Sequence, residues 1–210
     1  MSNKILYLGV DPSRYSHTGE LIHYPVIRTI PIEALDEATK QIWPRVTHLV
    51  FTSPSAVKHW TGFASCEQKA VIAIGPATAS LLREPLIAPF ATQEGVIALL
   101  ETLELSEAYF LLPRSSRARP LLTEYLQRRG VGFLALDLYQ TIPHNPGPLP
   151  AFDEIVFTSP STVEAFLQLH GCIPRDKKIT AIGPVTKNAL PKIFVEEYTC
   201  SELNEVKNER

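Results

Sequence analysis

The chain has 210 residues, 45% of them hydrophobic, with 20 Lys and Arg against 22 Asp and Glu for a formal charge of −2. That length supports one large domain or two small ones that each bury a modest core, and the balanced charge lacks the basic footprint of a nucleic-acid binder. The only apolar stretch near the start, residues 5–10, is too short for a signal-peptide core and no later run approaches a membrane span, so a cytoplasmic protein with no nucleic-acid or membrane partner is expected.

Cys66, Cys172 and Cys200 are widely spaced without a CxxC pair, which reads as three thiols rather than a disulfide framework or a zinc knot. The histidines form no HExxH, and no GxGxxG, Walker lysine loop or GxSxG elbow occurs. Metal catalysis, nucleotide binding and serine-hydrolase chemistry are therefore not expected.

In chain order, Leu49-Val50-Phe51 is a short apolar run of the kind that makes a buried parallel strand. It stops at Thr52-Ser53-Pro54, where Ser53 suits a helix N-cap and Pro54 the first helical position, so a helix is predicted through Val57-Lys58-His59-Trp60. Residues 71–74 make a second strand, ended by Gly75-Pro76 ahead of a helical segment over 77–82. Tyr109-Phe110-Leu111-Leu112 before Pro113, a helix over 120–129 closed by Gly130, and a strand over 133–136 form a further unit. Ile155-Val156-Phe157 then leads through Thr158-Ser159-Pro160 into a helix at Val163-Glu164-Ala165-Phe166, and a strand over 179–182 leads through Gly183-Pro184 into 185–190. The alternation predicts an α/β protein with parallel sheets.

The chain also repeats itself. Phe51-Thr52-Ser53-Pro54-Ser55 returns letter for letter at Phe157, 106 positions on, and Ala73-Ile74-Gly75-Pro76 with Thr78 returns as Ala181-Ile182-Gly183-Pro184 with Thr186, 108 positions on. Thr29-Ile30-Pro31 is echoed by Thr141-Ile142-Pro143. The repeat is domain-sized. Ligands of open parallel sheets gather outside the carboxyl ends of the strands, where these motifs fall. Helix N-termini there, with the hydroxyls of Thr52, Ser53, Thr78, Thr158, Ser159 and Thr186, make donors for an anion carrying several acidic groups. A single Ser-Pro-Ser reads as a helix cap and nothing more; its retention in two divergent halves points to a shared ligand. Gly75 and Gly183 are read as serving backbone geometry. Of Arg114, Arg117 and Arg119, Arg114 stands nearest a strand end and is the candidate for an acidic group. Tyr139 lies beside Gln140 and Thr141 where the chain should leave one domain; its phenol can donate a proton, although periodicity alone makes it a core or hinge-packing tyrosine.

Phe51-Thr52-Ser53-Pro54-Ser55-Ala56-Val57, Ala73-Ile74-Gly75-Pro76-Ala77-Thr78-Ala79, Leu138-Tyr139-Gln140-Thr141, the second Phe-Thr-Ser-Pro and Ile182-Gly183-Pro184-Val185-Thr186, in that order, resemble the uroporphyrinogen-III synthase family over residues 45–190. The resemblance implies two similar flavodoxin-like α/β domains joined by a two-stranded linker, with the N-terminal strand exchanged into the C-terminal half. Residues 1–24 with 146–210 would form one domain, 33–137 the other, and 25–32 with 138–145 the crossing ladder. It further implies a monomeric, cofactor-free lyase that closes hydroxymethylbilane, a small-molecule linear tetrapyrrole, to uroporphyrinogen III in a cleft between the domains, with loss of water and inversion of the last pyrrole. Tyr139 matches the family tyrosine that assists departure of the hydroxyl. Ser53, Thr78, Ser159, Thr186 and Lys178 match cleft-facing positions that bind substrate carboxylates. Leu6-Tyr7-Leu8-Gly9-Val10-Asp11-Pro12-Ser13 departs from the family's Thr-Arg-Pro and helix, so the first helix is expected to be short or missing. After Leu190 the last strand and helix shrink to Ile193-Phe194-Val195 and a weak segment over 201–210. The rivals are a non-catalytic two-domain protein that closes on a small anion and a regulatory protein descended from the synthase.

Overall fold

The structure is a computed structural model that describes residues 2–13 and 15–190. The segments expected over 193–195 and 201–210 lie outside the described residues. The chain runs through β1 (Lys4–Tyr7), β2 (Glu20–His23), β3 (Ile27–Pro31), α1 (Glu37–Ile42), β4 (His48–Phe51), α2 (Pro54–Trp60), β5 (Ala70–Ala73), α3 (Pro76–Ala79) and β6 (Leu86–Ile87). It continues through α4 (Gln93–Leu100), β7 (Tyr109–Ser115), α5 (Leu121–Arg128), β8 (Gly132–Pro143), β9 (Glu154–Phe157), α6 (Pro160–His170), β10 (Lys178–Ala181) and α7 (Pro184–Ala189). None of the described helices is long and apolar enough to cross a membrane.

Two compact units result, Thr29–Thr141 and a discontinuous one of Met1–Arg28 with Ile142–Arg210. The six-stranded sheet has the order β3-β8-β7-β4-β5-β6, and from β8 to β6 every pairing is parallel. Its strands are apolar on both sides because both faces are covered. Leu49, Phe51 and Leu111 pack with Val57 and Trp60 of α2, while the alternating Val50, Phe110 and Leu112 pack with Val96 and Leu100 of α4 and Leu122 and Leu126 of α5.

The four-stranded sheet has the order β10-β9-β1-β2, again parallel. Leu49 of β4 lies opposite Val71 of β5 and Leu111 of β7; its repeat mate Ile155 of β9 lies opposite Ile179 of β10 and Leu6 of β1. Strands β1 and β2 therefore hold, beside β9, the places that β7 and β8 hold beside β4. Leu6, Leu8, Ile155 and Phe157 pack on Val163 and Phe166 of α6. On the other face Ile5, Tyr7 and Val156 meet Tyr15, which comes from the connection between β1 and β2, and none of the described residues of that connection is helical.

Three details differ from expectation. Strand β7 runs through Pro113 to Ser115, α3 stops at Ala79, and β2, α1, β6 and α4 are additional elements. Cys66 is a free, half-buried thiol, as expected, and Cys200 lies outside the described residues. The glycines of the repeated Gly-Pro turns answer two different constraints. Gly183 sits at φ 82, in the left-handed region, whereas Gly75 is extended at φ 178 and excludes a Cβ because it would stand 2.8 Å from that of Ala91.

Both repeated helix entries carry a serine N-cap, and the second adds the reciprocal half of a capping box. Ser53 Oγ accepts the Ala56 N–H at 3.1 Å. The matching position of α6 is Thr162, whose hydroxyl oxygen accepts the N–H groups of Thr158 at 3.1 Å and Ser159 at 3.2 Å. Thr162→Ala should therefore destabilise by about 1 kcal/mol or more and Ser159→Ala by less, whereas in the first copy Ser53→Ala itself should cost about 1 kcal/mol. Urea unfolding of the three variants checks this, and equal losses at Ser159 and Thr162 would contradict it.

Candidate functional site

In the Thr29–Thr141 unit, β8 brings Tyr139 opposite Ser115, just past an irregularity in the β7 to β8 register. Its ring is 6% exposed and belongs to the apolar cluster of Val57, Trp60 and Leu138. Its oxygen lies 2.9 Å from the Ser53 hydroxyl at the start of α2. One turn and a half further along α2, the His59 ring stands 5.2 Å from the Tyr139 ring, and His59 Nε2 is 3.0 Å from the Thr29 hydroxyl of β3. Burial pushes the Tyr139 phenol up from its ordinary pKa while the Ser53 hydrogen bond pulls the other way, with a net rise. Burial lowers the pKa of His59. At neutral pH the group is thus a protonated phenol, a hydroxyl and a neutral imidazole.

Thr52 and Arg114 meet elsewhere in the same unit, at a small cavity of about 10 Å³ also lined by Gln93, Arg119 and Thr123, with room for about one water. Arg114 Nε donates to Asp137 Oδ1 at 2.9 Å, so its charge is compensated across the β7 to β8 pair. Arg119 forms two 3.0 Å bonds with Glu94, and this fork holds the Glu94 carboxyl down at about 2. Thr78 is buried in α3 at 1% exposure.

In the discontinuous unit, Thr158 and Ser159 stand at the carboxyl end of β9, and the Thr158 side chain fills the space beside Gly9, where a Cβ would come within 2.7 Å of it. The Ser159 hydroxyl bonds that of Ser161 at 2.9 Å. Thr186 is buried in α7 at 3% exposure. Lys178 opens β10, opposite Glu154 at the start of β9, so it lies at the amino end of the strands, about 10 Å of extended chain from the end where Thr158 and Ser159 stand. There Lys178 Nζ donates to Glu154 Oε2 at 3.0 Å and Thr180 donates to Oε1 at 2.6 Å. In this structure Lys178 is the counterion of a buried carboxylate.

Sequence reasoning missed His59, Asp137, Thr162 and Glu154. Thr162 was within reach, since it replaces Ala56 at the third helical position of the repeated entry, and Glu154 heads an apolar strand where the first copy has His48. His59 and Asp137 take their meaning from partners in other elements. Among the described residues no group of three or more His, Cys, Asp or Glu side chains is placed to hold a metal ion.

Residues 14–207 match the sequence profile of the family described as uroporphyrinogen-III synthase HemD. A Methanothermobacter thermautotrophicus protein provisionally named a uroporphyrinogen-III synthase is 27% identical over 209 aligned positions, covering 81% of this chain and 82% of that one. Among solved structures, a mutant uroporphyrinogen III synthase from the extremely thermophilic bacterium Thermus thermophilus superposes with a TM-score of 0.61 at 20% identity, covering 99% of this chain and 98% of that one. The uroporphyrinogen-III synthetase of Helicobacter pylori gives 0.59 at 17% identity, covering 97% and 99%. At these identities the two structures bear on the fold alone, an α/β fold with parallel sheets.

The Glu154 cluster predicts a pH dependence. Burial would raise its pKa, but hydrogen bonds from Thr180 and Lys178 outweigh this and the net shift is downward from 4.5. A depressed carboxylate stabilises the fold above its ordinary pKa, and that contribution is lost as the pH falls through the lowered value. Because Lys178 is largely exposed, Lys178→Ala should cost only up to about 1 kcal/mol at neutral pH. Urea unfolding at neutral pH and in acid should show a smaller difference between variant and wild type in acid; a constant difference would count against the pairing.

Proposed function

The chain belongs to the uroporphyrinogen-III synthase family, and from that membership we propose that it is a lyase that closes hydroxymethylbilane to uroporphyrinogen III, with loss of water and inversion of the last pyrrole ring. The synthase function places it in porphyrin and haem biosynthesis. In the fuller form of this proposal the protein is monomeric, is built of two flavodoxin-like domains with the N-terminal strand exchanged, and works without a cofactor. Residues 1–24 with 146–210 make one domain, 33–137 the other, and 25–32 with 138–145 the linker.

The observation that carries the chemistry is a protonated, mostly buried Tyr139 whose oxygen is held by Ser53 at 2.9 Å. A substrate hydroxyl leaves as water only if its oxygen gains a proton while the C–O bonding pair departs with it, and an azafulvene cation remains. A phenol with a reference pKa of about 10 holds its proton at neutral pH and can supply it. The rest of the task is positioning, because the unusual ring carbon must be the one attacked. Thr52, Thr158, Ser159 and Arg114, near the carboxyl ends of their strands, are proposed to hold substrate carboxylates. Thr78 and Thr186 are proposed to act from inside the short helices α3 and α7.

Incubation with freshly made hydroxymethylbilane, oxidation and separation of porphyrin isomers should give type III. A folded protein yielding only type I, the product of spontaneous closure, would remove the enzyme proposal. Tyr139→Phe should slow turnover by about 10²-fold or more and keep the type III product, in line with the roughly 10² to 10⁴ typical of general acid catalysis. Full activity in that variant would leave Tyr139 as a packing residue.

A further inference from the structure

Tyr139 is 6% exposed, so a charge that develops on its oxygen depends strongly on the hydrogen bonds that the protein offers it. Among the described residues one group lies within hydrogen-bond distance of that oxygen, the Ser53 hydroxyl. The hydroxyl is itself fixed, because its oxygen accepts the Ala56 N–H at 3.1 Å and Pro54 follows in the first helical position. A serine hydroxyl has one proton and two lone pairs. With one lone pair committed to Ala56, the proton and the other lone pair remain for Tyr139, and accepting an N–H makes the O–H a stronger donor. The repeat supplies a comparison, since the identical pentapeptide of the second copy sets its serine hydroxyl on Ser161 and not on a phenol.

We propose that Ser53 is a positioning residue that acts through Tyr139, turning its O–H toward the phenol oxygen as the phenol proton leaves and so setting how readily Tyr139 acts as an acid. This rests on Tyr139 being the proton donor of the synthase reaction. In the step, the phenol proton passes to the substrate hydroxyl oxygen, the C–O bond breaks with its electron pair on that oxygen, and water departs. The substrate keeps the positive charge and Tyr139 is left as a phenolate that accepts the Ser53 O–H. The proton shed by the substrate on ring closure restores the phenol. The hydroxyl of Ser53 is then committed to Ala56 and Tyr139 and is not a carboxylate ligand.

Three variants separate this role from capping and from substrate binding. Ser53→Thr keeps both cap and donor, Ser53→Asp keeps the cap but only accepts when ionised, and Ser53→Ala keeps neither. Each is assayed for kcat, KM and isomer ratio, and each is also made with 3,5-difluorotyrosine at position 139, whose more acidic phenol can be titrated by ultraviolet absorbance below the range of alkaline unfolding. The expected result is a near wild-type Thr variant. The Asp and Ala variants should have a raised phenol titration midpoint and a kcat lowered about tenfold, the worth of one hydrogen bond to a charged group, with KM and the type III product retained. An Asp variant that matches wild type in both readouts would reduce Ser53 to a cap. A raised KM with unchanged kcat and an unmoved midpoint would make it a substrate ligand, and either result overturns the proposal. Type III product in all variants with unmoved midpoints sinks the Ser53 role alone, whereas a wild type yielding only type I sinks the synthase reading and the Ser53 role with it.

Discussion

The parallel pairing of β1 with β9 is the constraint on which the rest of the molecule depends. It sets Ile5 opposite Glu154 and Leu6 opposite Ile155, so that strands from the two ends of the sequence lie side by side in one sheet. Without β1 the second copy of the repeat would have β9 and β10 alone, and Phe157 and Ile155 would lose the Leu6 and Leu8 neighbours of their core. Closing so long a loop is entropically costly and slow, and the cost is met by burial on the face that α6 covers. Within the Thr29–Thr141 unit, β8 pairs along β7 and carries Tyr139 opposite Ser115.

Much of the architecture was legible because the repeat doubled each signal. Ser53 and Ser159 stand at the N-caps, Pro54 and Pro160 follow in the first turn, and the apolar runs at 49–51, 71–73, 155–157 and 179–181 are strands. The failures have identifiable causes. Helix α4 carries Gly95 in its first turn, where glycine weakens a helical pattern, and that glycine is held there by crowding against the Phe90 carbonyl. Pro113 suggests a strand end, yet β7 runs on past it opposite Leu136.

The two helix entries also show how one side chain redistributes a polar site. At the third helical position Ala56 offers no hydroxyl, so Ser53 must cap its own helix and is thereby held against Tyr139. Thr162, in the equivalent place, draws in the N–H groups of Thr158 and Ser159, and its own proton goes to the Ser159 carbonyl at 2.7 Å. Those two backbone donors are then engaged within the turn. An anion arriving at the second copy meets fewer unengaged N–H groups than the letter-for-letter repetition of the pentapeptide suggests, so equal sequence does not make equal sites.

Charge is distributed in the same economical way. Arg114 is neutralised by Asp137 and Arg119 by Glu94, and the chain as a whole carries −2. With these two arginines paired, the proposed binding of a polycarboxylate would rest at short range on oriented N–H groups, hydroxyls and the remaining donors of Arg114. Short-range dipoles of this kind reward correct placement and contribute little at a distance. They suit a reaction in which the bound conformation decides which carbon is attacked, because a strong, non-directional attraction would hold productive and unproductive foldings of the substrate alike. The protonated phenol fits the same logic: it brings no charge to the resting site, and in the proposed reaction its charge would develop only as the leaving oxygen takes the proton.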